Sequence, residues 1–92
     1  MGMTLATGVE MIAREREEQL AVRGFDAAHD DKHVEGELAQ AAAFYAHPKG
    51  GVIFPETWDP KWNKRDKHRR IRQLAIAGAL CAAEIDRLRR KG

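Results

Sequence analysis

Between Lys64 and Arg90, apolar residues fall at alternating steps of three and four: Ile71, Leu74, Gly78, Cys81, Ile85 and Leu88. This is the a/d spacing of a coiled-coil-like seam, and it predicts a helix over about 64–90. A second strip, Ile76, Leu80 and Ala83, lies beside the first. The centre of the helix is therefore apolar nearly all round and is expected to be buried on more than one side. Ala75, Ala77, Gly78, Ala79 and Ala82 would let neighbouring backbones approach closely. A chain of 92 residues fits one domain. Three helices cannot easily enclose such a helix, so a homodimer is expected.

Two shorter helices precede it. Thr7-Gly8-Val9-Glu10 matches a capping box. Val9, Ile12, Ala13 and Leu20 then recur at helical spacing up to Gly24, with Arg16 on the same face, either at the rim of the core or in a polar pocket. Phe25 to His33 reads as a loop in which Asp30 and Asp31 cap a second helix. That helix is expected to run to about Ala46, with Val34, Leu38, Ala41, Ala42 and Tyr45 on one stripe and Gly36 in its first turn. Residues 47–63 show no helical pattern, although Val52-Ile53-Phe54 could form a short extended piece. A connection of this length is uncommon in a compact domain and is often functional. It holds both tryptophans, Trp58 and Trp62, which would either cap the core or meet a ligand. The expected architecture is all-α: one helical domain over 1–92, a three-helix bundle with a long Trp-containing loop between helices two and three, paired as a dimer.

Composition removes several function classes. With 43% hydrophobic and 33% charged residues, the chain has the mixture of a globular protein rather than a disordered one. A single cysteine permits neither an internal disulfide nor a Cys-based zinc site. Cys81 lies in the apolar run Leu74 to Ala83 and is expected to be a small buried hydrophobe. That run is too short to span a bilayer. The opening MGMTLATGVEM lacks the basic and apolar regions of a signal peptide, so cytoplasmic residence is expected. Residues 1–56 carry five Lys/Arg against ten Asp/Glu, and residues 57–92 carry eleven against four. The two halves can attract one another, or the basic one can meet a phosphate-bearing partner.

Three constellations could carry chemistry. Lys61, Lys64, Arg65, Lys67, His68, Arg69, Arg70 and Arg72 gather at the expected start of the third helix. There the helix dipole disfavours cations, so an anion is invited, either from the acidic half or from outside. His29, His33 and Glu37, with Asp30 between them, are spaced by four and would share one helical face able to hold a divalent metal, if the helix reached back to His29. Simple capping by Asp30 and Asp31, with exposed histidines, is the alternative. Finally, Glu15, Glu18, Glu35, Glu37, Glu84 and Asp86 could hold Mg²⁺ and a nucleotide's phosphates. Helical pyrophosphohydrolases of the MazG type use ExxE and ExxD pairs. Glu15/Glu18 is similar to that pattern, whereas Glu35/Glu37 and Glu84/Asp86 are two apart and point to different faces. No phosphate loop, nucleophile elbow or helix-turn-helix is visible, so duplex DNA recognition is not expected. Aromatic residues beside a basic stretch suit single strands or nucleotides.

Across nearly its whole length the chain resembles a recurring type of small helical protein from bacteriophages and prophages. The residues that carry the likeness are Glu15-Arg16-x-x-Gln19, His29-Asp30-Asp31-x-His33, Gly36-Glu37-Leu38 with Ala41-Ala42 and Tyr45-Ala46, then Ala77 to Leu80 and Ala83 to Leu88. Phe25 stands where that type usually has Trp, and residues 66–73 diverge. The resemblance implies a phage setting, in which small proteins bind host factors or capture the nucleotide signals of antiviral defence. The expected function is a non-catalytic protein that binds a nucleotide or nucleotide-derived signal. Arg69 and Arg70 would contact phosphate, Trp58 or Trp62 would stack on a base, and His29, Asp30, His33 and Glu37 would bind sugar or base edges. A Mg²⁺-dependent pyrophosphohydrolase and an inhibitor of a host protein remain the alternatives. The cofactor, Mg²⁺ or another divalent metal in the first of these, stays open.

Overall fold

The computed structural model of the chain describes residues 6–24, 26–47 and 54–91. Phe25 and the expected extended piece at 52–53 lie outside them. The described residues contain helices and turns and no strand.

Helix α1, Gly8–Ala21, starts where the capping box sets it. Thr7 N donates to Glu10 Oε1 at 3.0 Å, and Glu10 N donates to Thr7 Oγ1 at 3.2 Å. Its rotation differs from the expectation. Val9, Ala13 and Leu20 face outward, and Gln19 is buried in their place. Polar side chains cause this. Glu15 and Glu18 accept from Arg72 at 2.8 and 3.3 Å, and Arg16 sits between Asp30 at 3.2 Å and Asp86 at 3.6 Å. Arg16 thus occupies a polar pocket rather than a rim.

The second expected helix is broken in two. Helix α2, Ala27–Asp30, is a single turn capped by Asp26, whose Oδ1 accepts from His29 N at 2.9 Å. Asp30 and Asp31 are therefore not N-caps. Asp30 ends α2, fully buried against Arg16 and His29. Helix α3, Glu37–Ala46, starts only after Gly36. Gly36 has φ +82°, a left-handed conformation that interrupts a helix and suits glycine. Val34, expected on the core stripe, precedes this break and is 58% exposed. Leu38, Ala41, Ala42 and Tyr45 are buried as the stripe predicts, joined by Phe44.

Two 3₁₀ turns, Pro60–Trp62 and Arg65–Lys67, lead to helix α4, Arg70–Lys91. The expected start at Lys64 is too early because tertiary contacts claim the intervening residues. Buried Arg65 lays its guanidinium 4.1 Å from the Phe44 ring centre and donates to Phe44 O at 3.3 Å. Gln73 Nε2 donates to Arg65 O at 2.8 Å and to His68 O at 3.0 Å, closing the gap between turn and helix.

Helices α1 and α3 pack against α4, and α2 touches it more lightly. The core joins Leu38, Ala41, Phe44 and Tyr45 of α3 to Ala77, Leu80 and Ala83 of α4, with Trp58 inserted. The a/d seam of α4 is not buried within one chain. Ile71 is 66% and Ile85 is 56% exposed, Leu74 and Leu88 are also exposed, and only Gly78 is covered, by Ile12. Cys81 lies on this stripe and is exposed, correcting the expectation of a buried thiol. No helix among the described residues is long and apolar enough to cross a membrane.

Candidate functional site

A cavity of about 350 Å³ opens where α1, α3, α4 and the segment between α3 and α4 meet. Helix α1 contributes Glu15 and Gln19, and Arg23 follows just past its end. Tyr45 comes from α3, and Ile76 and Leu80 from α4. The connecting segment supplies Trp58, Lys61, Trp62, Lys64 and His68. Gln19, Tyr45, Trp58 and Leu80 are buried, whereas Arg23, Lys61, Trp62 and Lys64 are exposed. The cavity therefore has a largely apolar, aromatic end and a cationic mouth. Its volume lies in the range of ~300–1,000 Å³ typical of small-molecule sites.

The Tyr45 hydroxyl organises the mouth. It donates to Trp62 O at 3.2 Å and accepts from Lys64 N at 3.1 Å, tying the connecting segment to α3. Burial pushes the phenol's pKa up, so it stays protonated and able to donate. Trp58 and Trp62 meet edge to face, with centroids 5.6 Å apart. Arg23 is 3.4 Å from Glu18, and Lys61 is 3.6 Å from Asp59. Burial, followed by Arg72 and Arg23, pushes the His68 pKa down, so the wall has a neutral imidazole at neutral pH.

Behind Trp58 lies a polar cluster built from the histidines and carboxylates singled out in the sequence. His29 Nδ1 is 2.9 Å from Asp30 Oδ1, and the His29 and His33 rings are 4.7 Å apart, centre to centre. Trp58 Nε1 donates to His33 Nδ1 at 3.1 Å. That bond requires His33 to carry its ring proton on Nε2. Glu37 Oε2, 3.4 Å from the same Nδ1, then draws protons from elsewhere. Glu35 N donates to Glu37 Oε1 at 2.6 Å, and Thr57 Oγ1 to Oε2 at 3.5 Å. Burial alone would raise the Glu37 pKa, but the backbone N–H groups of Glu37 and Glu35 outweigh it and hold the carboxyl below its usual value.

The structure thus gathers six of the eight residues predicted to contact a ligand. Trp58 and Trp62 line the cavity, and His29, Asp30, His33 and Glu37 stand behind or beside them. Arg69 and Arg70 are not among the lining residues. Arg70 instead donates to Tyr45 O at 3.4 Å and to Ala46 O, so a cation at the start of α4 is stabilised by the carbonyl end of α3. Arg72 is occupied by Glu15 and Glu18. The anti-dipole cluster is in part a set of intramolecular ties.

His29, His33 and Glu37 do not share one helical face, because α2 ends at Asp30 and α3 begins at Glu37. Among the described residues no group of three His, Cys, Asp or Glu side chains is arranged to hold a metal ion. The carboxylates of the proposed cage are dispersed: Glu84 pairs with Arg87 at 2.5 Å, Asp86 with Arg16, and Glu15 and Glu18 with Arg72. Gln19, Arg23 and Tyr45 were missed by sequence reasoning as site residues. Only Gln19 carries a signal, a polar side chain on a face expected to be apolar. No protein-family model, curated protein or solved structure matches this chain.

Proposed function

We propose that this protein binds, without catalysis, a small phosphate-bearing molecule of the nucleotide class. One observation carries the proposal: a cavity with a buried aromatic end and a mouth bearing Arg23, Lys61 and Lys64. A heterocycle has Trp58, Trp62 and Tyr45 to lie against, and a phosphate has three cations within the same opening. Phosphate contact passes in this account from Arg69 and Arg70 to Arg23, Lys61 and Lys64, since Arg70 serves the α3 carbonyls. The cluster of His29, Asp30, His33 and Glu37 holds Trp58 in place through the His33 bond. In the phage setting that the sequence resemblance implies, sequestering such a molecule is a counter-defence role. The proposal includes a three-helix bundle paired with a second copy through the exposed stripe on α4, which the single chain leaves open.

Titration calorimetry with mononucleotides and cyclic dinucleotides tests the binding function. At least one of them is expected to bind, and Lys61→Ala/Lys64→Ala is expected to weaken it at least tenfold, about 1.4 kcal/mol. Arg69→Ala is expected to change affinity by less than about twofold, a few tenths of a kcal/mol. No binding by any of them, or binding indifferent to the paired lysine substitution, sinks the proposal.

A further inference from the structure

The geometry points to His33 as a proton-operated latch on Trp58, holding the aromatic wall of the cavity while the imidazole is neutral and releasing it when the ring is protonated. The consequence for binding rests on the nucleotide-binding function above; the latch itself does not. One ring atom, His33 Nδ1, faces two groups with opposite needs. Trp58 Nε1, 3.1 Å away, is a donor only, and the Glu37 carboxylate, with Oε2 at 3.4 Å, is an acceptor only. A lone pair on Nδ1 serves the indole and leaves the carboxylate to Glu35 N and Thr57 Oγ1. A proton on Nδ1 serves Glu37 with charge assistance and turns a second N–H against that of the indole. The two bonds exclude one another.

The surroundings give this exchange its effect. The side chains of His33 and Glu37 are 13% and 9% exposed, and Trp58 is 5% exposed, so water is a poor substitute for a lost partner. Charged neighbours come from every packed element. Helix α3 brings Glu37, and α2 brings His29, whose ring lies 4.7 Å from that of His33 and whose Nδ1 is 2.9 Å from Asp30. Arg16 of α1 pairs with Asp30, and Arg87 of α4 pairs with Glu84 and interacts with the charge of Glu37. Glu37, in contact with Nδ1, favours the added proton, while both arginines are taken up by other carboxylates. Imidazoles change charge between about pH 5 and 8, so mild acidification is enough to work the latch. Trp58 lines the cavity edge to face with Trp62, and displacing its ring removes a surface for a heterocycle to lie against.

Nuclear magnetic resonance of isotope-labelled protein between about pH 8 and pH 5 tests the latch without any ligand, the indole signals being assigned through Trp62→Phe. The Trp58 Nε1–H signal is expected to move in step with protonation of His33 Nδ1. His33→Asn, whose Oδ1 accepts at the same place and takes up no proton, is expected to hold that signal fixed. Glu37→Gln, which withdraws the carboxylate, is expected to move the change to lower pH, so a folding defect in one variant does not decide the result. A Trp58 signal constant over the whole range, or one that moves equally in His33→Asn, overturns the latch. Calorimetry with AMP and GMP extends the test to the cavity. On acidification, affinity is expected to fall about fivefold further in the wild-type protein than in His33→Asn, a comparison that removes the titration of the phosphate itself. Equal falls in the two proteins overturn the control of binding. No binding of either nucleotide removes the binding function and its control together, while the resonance signal still decides the latch.

Discussion

Burial of Glu37 opposes its charge, and backbone donors at its own position and at Glu35 reverse the effect, leaving its pKa below the usual value. A carboxyl with a lowered pKa in the folded state favours folding while it is ionised. That contribution is fully present above the unfolded value, near 4.5, and is lost as pH falls through the lowered folded value. Urea unfolding followed from pH 7 to pH 3 is expected to show the loss beginning below about that unfolded value. Glu37→Gln, which cannot titrate, is expected to be about 1–3 kcal/mol less stable at pH 7 and to lose less on acidification. Equal acid sensitivity in the two proteins would contradict this account. Single residues also mark where the sequence was opaque. Asp30 looks like a helix cap because caps are local, yet Arg16, fourteen positions away, draws it into the interior. Asp26 then takes the capping role.

At the level of elements, the legible features were those decided within a turn or two of chain. The Thr7–Glu10 box fixes the start of α1, and the periodicity of α4 fixes its existence. The break between α2 and α3 was written in Gly36 but was read as an ordinary first-turn glycine, since its positive φ is a tertiary outcome. The rotation of α1 was hidden because ion pairs to Arg72 and Asp86 override the Val9–Leu20 stripe. Gly78 illustrates how closely α1 and α4 approach. A Cβ there would lie 2.5 Å from Ile12 Cδ1 and 2.6 Å from Cγ1. Alanine in a helix interior normally gains about 1 kcal/mol over glycine, but overpacking costs about 1–3 kcal/mol. Gly78→Ala is therefore expected to destabilise the protein by up to about 2 kcal/mol. In an Ile12→Ala background the same change is expected to stabilise by about 1 kcal/mol. A denaturation cycle over the four proteins checks the reversal of sign. A stabilising Gly78→Ala in the wild-type background would show that the two helices are not held this closely.

The whole molecule has too few elements to wrap its longest one. Helices α1 and α3 pack on α4, the short α2 touches it, and the stripe of Ile71, Leu74, Cys81, Ile85 and Leu88 remains exposed. A heptad-spaced apolar stripe matches its own copy, which is the basis of the proposed pairing. Analytical ultracentrifugation is expected to find a dimer, and Leu74→Glu/Ile85→Glu a helical monomer. A monomeric wild-type protein ends that proposal. The candidate site was legible in sequence only as a set of unusual residues. Its shape was not, because its lining runs from position 15 to position 80 and no local pattern couples such distant points.

That wide separation has a thermodynamic consequence. The lining residues become neighbours only once α1 has docked on α4 and the connecting segment is tied to Tyr45. A molecule held there would bind the native chain and ignore the unfolded one, so occupancy and folding become a single linked equilibrium. For a domain this small, a ligand held there would act as a missing piece of its interior.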